Sequence, residues 1–154
     1  MLKISKKASV NLSMILSSLF FVGLIAGAVA MPTFVNSIIE LVYNPATFPA
    51  MDRAICLALA YLILVVCLTA NCVIFALLKT VKSDNVFTPK SVSLIRAISW
   101  CCFLVGLLFL AVGYYFQLGF LIAFAAMFLG LCIRVVKNVI EQATEIKCEN
   151  DLTV

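Results

Sequence analysis

The sequence predicts an all-α integral membrane protein, a four-helix transmembrane bundle with both termini on the cytoplasmic side. Of its 154 residues, 65% are hydrophobic and 12% are charged, and the mean hydropathy is +1.20. A soluble domain of this length has too little interior to bury so much apolar surface. Long uncharged segments alternate with basic ones, which predicts four spans in a single membrane domain over residues 1–154.

The first span is predicted over residues 8–31, where no side chain is charged. A helix of that length is about 36 Å long and crosses a hydrocarbon core of about 30 Å. Pro32 is expected to end it, because proline interrupts the helical hydrogen-bond ladder. The basic start and the small residues 28–30 also fit a cleavable signal peptide. The apolar run exceeds the about 7–15 residues of such peptides, so a retained span is expected.

The segment between the first two spans, residues 32–53, is predicted to be an outer loop containing a short amphipathic helix at the membrane surface. The helix is predicted from apolar residues at helical spacing, namely Val35, Ile38, Ile39 and Val42. The second span is predicted over residues 54–78, which are uncharged and rich in aliphatic side chains.

A polar cytoplasmic loop is predicted over residues 79–96. Within it, Thr88 followed by Pro89 is a helix-start signal, with Thr88 as the N-cap and Pro89 as the first helical residue. The uncharged run that follows, residues 97–133, would be about 55 Å long as one helix, nearly twice the membrane core. It must therefore fold back on itself.

The fold-back is predicted at Gly113, Gln117 and Gly119, which gives a tight hairpin of two spans at 97–116 and 118–137. The last span is expected to continue beyond the bilayer as a helical cytoplasmic tail, residues 138–154. Lys137, Glu141 and Glu145 support this continuation because they follow one another at four-residue steps.

Orientation follows from the basic residues. All but one of the 11 Lys and Arg residues fall in the N-terminal segment, the 79–96 loop or the C-terminal end of the last span and its tail, and the exception is Arg53. The positive-inside rule places both termini in the cytoplasm, and we expect the lipid bilayer of a bacterial cytoplasmic (inner or plasma) membrane as the surroundings.

Several function classes are disfavoured by composition. The chain has no histidine, the commonest general base and metal ligand, and no hydrolase, metalloprotease or P-loop motif. We therefore expect no enzymatic activity, no cofactor and no metal. No Asp, Glu, Lys, Arg or His lies in the middle of a span, which argues against proton-coupled transport. No basic stripe or motif indicates direct binding of nucleic acid.

Two glycines in the first span, Gly23 and Gly27, form a GxxxG pattern that permits close helix approach. Packing within the monomer is the expected use of this pattern, and a homo-oligomer contact is the alternative. Gly119 and Ala123 in the fourth span are interpreted in the same way.

The basic 79–96 loop and the acidic tail are predicted to meet on the cytoplasmic side, since their opposite charges favour approach. Phe87 in the loop would supply an apolar anchor, and together with the polar C-terminal residues it would form one interaction surface for a cytoplasmic protein. Its candidate residues are Asn85, Phe87, Thr88, Pro89, Arg96, Glu149, Asn150 and Asp151.

Two segments resemble a known family. Residues 85–89 (NVFTP) with Arg96 resemble an NPFT…R element, and residues 149–154 (ENDLTV) are similar to an ENDLTI/V terminus. Both are features of the YoaS-like family of small four-span bacterial membrane proteins, a domain of unknown function. Val86 departs from that pattern by replacing the usual proline.

Members of that family are often encoded beside a small Cro/CI-type helix-turn-helix regulator, mainly in Gram-positive bacteria. The resemblance implies a non-enzymatic sensor or regulatory partner of such a regulator. An immunity or envelope-protection protein is the alternative, and a small transporter or channel is a third hypothesis.

Overall fold

The computed structural model describes residues 6–44, 47–83 and 88–152, with side chains from residue 9 to residue 149 within those ranges. These residues form four helices: α1 Lys6–Val42, α2 Ala50–Lys82, α3 Pro89–Gly113 and α4 Leu118–Leu152. Each is long and apolar enough to cross a membrane. The predicted all-α fold with four spans is confirmed.

Pro32 does not end the first helix, so that expectation is wrong. α1 passes through Pro32 and stops at Val42, and the predicted separate surface helix is its continuation. Proline leaves the carbonyl four residues earlier, that of Ala28, without its helical N–H partner. The Tyr61 hydroxyl on α2 donates a hydrogen bond to the Ala28 carbonyl oxygen at 3.2 Å. A neighbouring helix thus supplies the missing donor.

The connection between α2 and α3 is shorter than the predicted 79–96 loop, because α2 extends to Lys82 and α3 begins at Pro89. Thr88 is the N-cap of α3, and its side-chain oxygen accepts a hydrogen bond from the Ser91 backbone N–H at 3.3 Å. This confirms the predicted helix start. The hydroxyl satisfies one of the donors that every helix start leaves unpaired.

The α3–α4 hairpin turns where the glycines predicted it. α3 ends at Gly113 and α4 begins at Leu118. A Cβ on Gly119 would lie 2.7 Å from the Gly113 nitrogen and 3.0 Å from the Phe109 carbonyl oxygen. Farther along, a Cβ on Gly106 would lie 3.2 Å from the Ala123 carbonyl oxygen. These small residues let the two helix backbones touch, as expected for Gly119 and Ala123.

The helices pack in chain order, α1 on α2, α2 on α3 and α3 on α4. Among the described residues, no other pair of helix backbones comes close together. The bundle is therefore open between α1 and α4. Gly23 and Gly27 lie on an unfilled face of α1, since a Cβ on either would meet no atom within 4 Å. Packing of this GxxxG within the monomer is wrong, and a homo-oligomer contact stays a prediction.

At the end of the bundle where α3 turns into α4, which we call the turn end, Val35, Ile39 and Cys56 form a buried apolar core. Aromatic residues cover it, namely Tyr43, Phe48, Tyr115 and Phe116. The Tyr43 hydroxyl donates to the Tyr115 carbonyl oxygen at 2.5 Å. This cluster joins the end of α1 to the α3–α4 turn.

Candidate functional site

The opposite end of the bundle, where α2 stops and α3 begins, carries most of the described charges and is called the basic end. Here Arg96 of α3 reaches Glu141 of α4, with 3.1 Å between the guanidinium and a carboxylate oxygen. The expected approach of the middle segment to the tail thus occurs through this pair. The partners are 53% and 35% exposed, and such pairs contribute about 0–1 kcal/mol.

The predicted interaction surface is only partly described. Asn85 and Phe87 lie outside the described residues, as do the side chains of Asn150 and Asp151. Thr88 and Pro89 begin α3, and Arg96 lies two turns farther along it. Glu149 is exposed near the end of α4. The packing of Phe87 against the chain end stays a prediction.

Three cationic side chains converge at the basic end and are called the basic cluster: Arg96, Arg134 and Lys137. Lys137 is bonded to Glu141 one helical turn away on α4. Arg134 lies over the Trp100 ring of α3, with 5.1 Å from its guanidinium carbon to the ring centroid. Cation–π attraction of this kind is worth about 0.5–1 kcal/mol at an exposed site.

The basic cluster borders a narrow recess between α3 and α4, together with Ser99. The Ser99 hydroxyl is buried and donates to the Gly130 carbonyl oxygen at 3.0 Å. The recess encloses only about 10 Å³, room for one water molecule. A larger anion can therefore be held only at its mouth, where the cationic side chains end.

Sequence reasoning missed the Trp100–Arg134 contact and the convergence of the cluster. Arg134 and Lys137 mark the end of the fourth span, and Trp100 is typical of a membrane interface. The signal was therefore present in the residue types. Whether these groups share one surface depends on how α3 and α4 are rotated and shifted against each other. The glycine contacts at the turn determine that arrangement.

Beyond the basic cluster, α4 continues as a helix to Leu152. Val139 and Ile146 lie seven residues apart on one face, and each is 60% exposed. Ile140 and Thr144 are half-buried on the other side of the helix. The extension therefore presents an apolar stripe that the described residues leave uncovered.

Between α1 and α2 an apolar cleft of about 430 Å³ opens to the surface beside a buried polar pair. The Ser17 hydroxyl donates to the Asn71 side-chain oxygen at 2.6 Å, and the Asn71 amide donates to the Ser17 carbonyl oxygen at 3.1 Å. These reciprocal bonds satisfy both groups and hold α1 to α2. Polar side chains inside membrane helices commonly pair across helices in this way, and the pair is structural.

At the turn end, Asp52 approaches Tyr115. Burial and then the neighbouring Asp52 carboxylate raise the pKa of Tyr115 above its usual value. Arg53 follows Asp52 on α2, and the Arg53 Nε is buried without a hydrogen-bond partner among the described atoms.

Over the part of the chain that the structure describes, no three histidine, cysteine or acidic residues gather to hold a metal ion.

Comparison with known proteins gives one match. Neither a curated protein nor a solved structure matches the chain. A family described as "Protein of unknown function (DUF2975)" matches residues 10–154, which includes all of α2, α3 and the basic cluster. The match covers nearly the whole chain. The chain belongs to the DUF2975 family.

Proposed function

We propose that this protein is a non-enzymatic membrane sensor or regulatory partner, whose cytoplasmic surface holds a small helix-turn-helix transcription regulator. The observation that carries the proposal is the extension of α4 to Leu152, with Val139 and Ile146 each 60% exposed. Apolar residues seven apart on one helix face are the anchors with which amphipathic helices bind protein grooves.

The position of this stripe matters because it lies beyond Arg134 and Lys137. Basic residues at the end of a span mark the headgroup layer, and Ile146 lies about 14 Å beyond Lys137 along the helix, so the outer part of the extension lies in water. Exposed Val and Ile side chains are favourable in lipid, whereas in water a partner stabilises them by covering them. The Arg96–Glu141 pair connects the base of the extension to α3, and α4 is one continuous helix from the bundle to the stripe, so that a change in the bundle would move the stripe.

The cytoplasmic location and the partner class have separate support. The distribution of Lys and Arg favours both termini inside, in the cytoplasmic membrane of a bacterium. The resemblance to the YoaS-like family implies the small helix-turn-helix regulator. In this proposal the protein does not contact nucleic acid itself, and Gly23 and Gly27 remain available for a homo-oligomer contact in the bilayer.

The test is cross-linking in native membranes, followed by pull-down of the full chain and identification of the captured protein. Ile146→Glu should reduce capture strongly, because it puts a charge into the stripe. Cys148→Glu is the matched control, since it adds the same charge at an exposed position on the opposite face of the same helix. Deleting residues 149–154 should leave membrane insertion intact and reduce capture, and Phe87→Ala should weaken it.

Two results would overturn the proposal. Wild-type capture by both Ile146→Glu and the truncated chain would show that the surface is not the site of function. Specific capture of an envelope protein or toxin, with no helix-turn-helix regulator, would favour the immunity alternative.

A further inference from the structure

We infer that the basic cluster is a binding site for the phosphate headgroup of an anionic phospholipid such as phosphatidylglycerol. This inference is independent of the proposed function, because it concerns the membrane surface itself and holds for either orientation of the chain. It stands on the depth of the cluster, its charge and the apolar surface that continues from it.

The depth follows from the hairpin. From Gly113 at the turn back to Arg96 is about 26 Å along α3, and from Leu118 to Lys137 is about 28 Å along α4. A hydrocarbon core is about 30 Å thick. With the α3–α4 turn at one surface of the bilayer, Arg96, Arg134 and Lys137 therefore lie at the headgroup layer of the other.

The cluster carries unbalanced charge. Glu141 is the single carboxylate that contacts it in the described structure, and it accepts from both Arg96 and Lys137. Arg134 contacts the Trp100 ring and is otherwise exposed. Three cations against one anion leave about two positive charges at one spot. Basic pockets between membrane helices bind anionic headgroups, and each Lys or Arg contributes several-fold in affinity.

The apolar surface beside the cluster favours a lipid over a soluble phosphate as the ligand. Trp100 is 58% exposed, and on the same face of α3 Leu104 and Leu107 are 47% and 60% exposed. This stripe leads from the cluster toward the turn end, as an acyl chain would. A soluble anion would need an enclosed polar pocket, whereas the recess encloses only about 10 Å³.

The test uses Trp100, the only tryptophan of the chain, as the reporter. The full chain in neutral detergent is titrated with dioctanoyl phosphatidylglycerol, with dioctanoyl phosphatidylcholine and with inorganic phosphate. Phosphatidylglycerol should change the Trp100 emission saturably and at lower concentration than phosphatidylcholine. Raising the salt concentration should narrow that difference, because screening weakens the headgroup attraction.

The variants locate the site. Arg134→Gln should weaken phosphatidylglycerol binding about five-fold, and Arg134→Lys should retain most of it. Lys79→Gln is the matched control, since it removes one exposed charge on α2 at the same end of the bundle. Circular dichroism checks that each variant keeps its helices, and native mass spectrometry of the wild-type protein with each lipid supplies a measurement that needs no variant.

Three outcomes would overturn the inference. Equal affinity for the two lipids would show that the headgroup charge is not recognised. An equal loss in Lys79→Gln and Arg134→Gln would show a diffuse surface charge effect. Inorganic phosphate binding as tightly as the lipid would assign the cluster to a soluble anion.

Discussion

Tyr61→Phe should destabilise the protein by removing the hydroxyl that supports α1 at Pro32. The phenol donates to the Ala28 carbonyl oxygen, which proline at position 32 deprives of its helical donor. In the variant that carbonyl would be left without a partner in an apolar surrounding. A neutral hydrogen bond of this kind contributes about 0.5–1.5 kcal/mol, and membrane interhelical bonds average about 0.6 kcal/mol.

Pro32→Ala separates this effect from a general loss of packing. With alanine at position 32, a backbone N–H is again present to donate to the Ala28 carbonyl oxygen. Tyr61→Phe should then cost much less in the Pro32→Ala background than in the native one. The difference between the two costs is the coupling energy, expected at about 0.5–1.5 kcal/mol.

The measurement is reversible unfolding by sodium dodecyl sulfate in mixed micelles, followed by circular dichroism. Tyr114→Phe is the matched control, since Tyr114 is 82% exposed and its ring lies edge-on to that of Tyr115. It should leave the unfolding free energy unchanged. Equal costs of Tyr61→Phe in both backgrounds would refute the reasoning, because Tyr61 would then act only through packing.

Three more perturbations test the fold. Gly119→Ala should cost about 1–3 kcal/mol of unfolding free energy, because its Cβ would meet the Gly113 backbone, whereas Gly23→Ala should cost nothing in the same unfolding assay. Thr88→Ala should cost about 0.5–2 kcal/mol by loss of the N-cap, and Thr88→Ser should retain most of it. A variant that keeps only Cys148 should react with an impermeant maleimide after permeabilisation and not in intact cells, and labelling of intact cells would contradict a cytoplasmic C-terminus.

The features that local chemistry determines were predictable from the sequence. The uncharged runs predicted four helices, and Thr88 with Pro89 predicted where α3 begins. The limit that membrane thickness places on helix length required a turn inside residues 97–133, and glycine indicated its place. Each of these predictions depends only on residues close together in the chain or on the thickness of the membrane.

The features that sequence reasoning missed depend on contacts between distant residues. Pro32 predicted a helix end because its lost hydrogen bond was considered alone, and the donor that replaces it, Tyr61, lies on another helix. A GxxxG pattern that contacts a neighbouring helix looks the same in the sequence as Gly23 and Gly27, which face no other helix in the structure. The cation–π pair of Trp100 and Arg134 likewise needs the register of the hairpin.

The α3–α4 hairpin and the α1–α2 pair are held together by different kinds of contact, and this difference bears on how the bundle could respond to a signal. α3 and α4 touch along glycines and other small residues, and a Cβ on Gly119 would lie 2.7 Å from the Gly113 nitrogen. α1 is joined to α2 through hydrogen bonds at Asn71 and Tyr61 and through the apolar core at the turn end, and it packs on α2 less extensively than α3 packs on α4. Such bonds contribute little individually in a membrane. A bilayer-driven rearrangement would therefore move α1 before it opened the hairpin, and the hairpin carries both the basic cluster and the α4 extension.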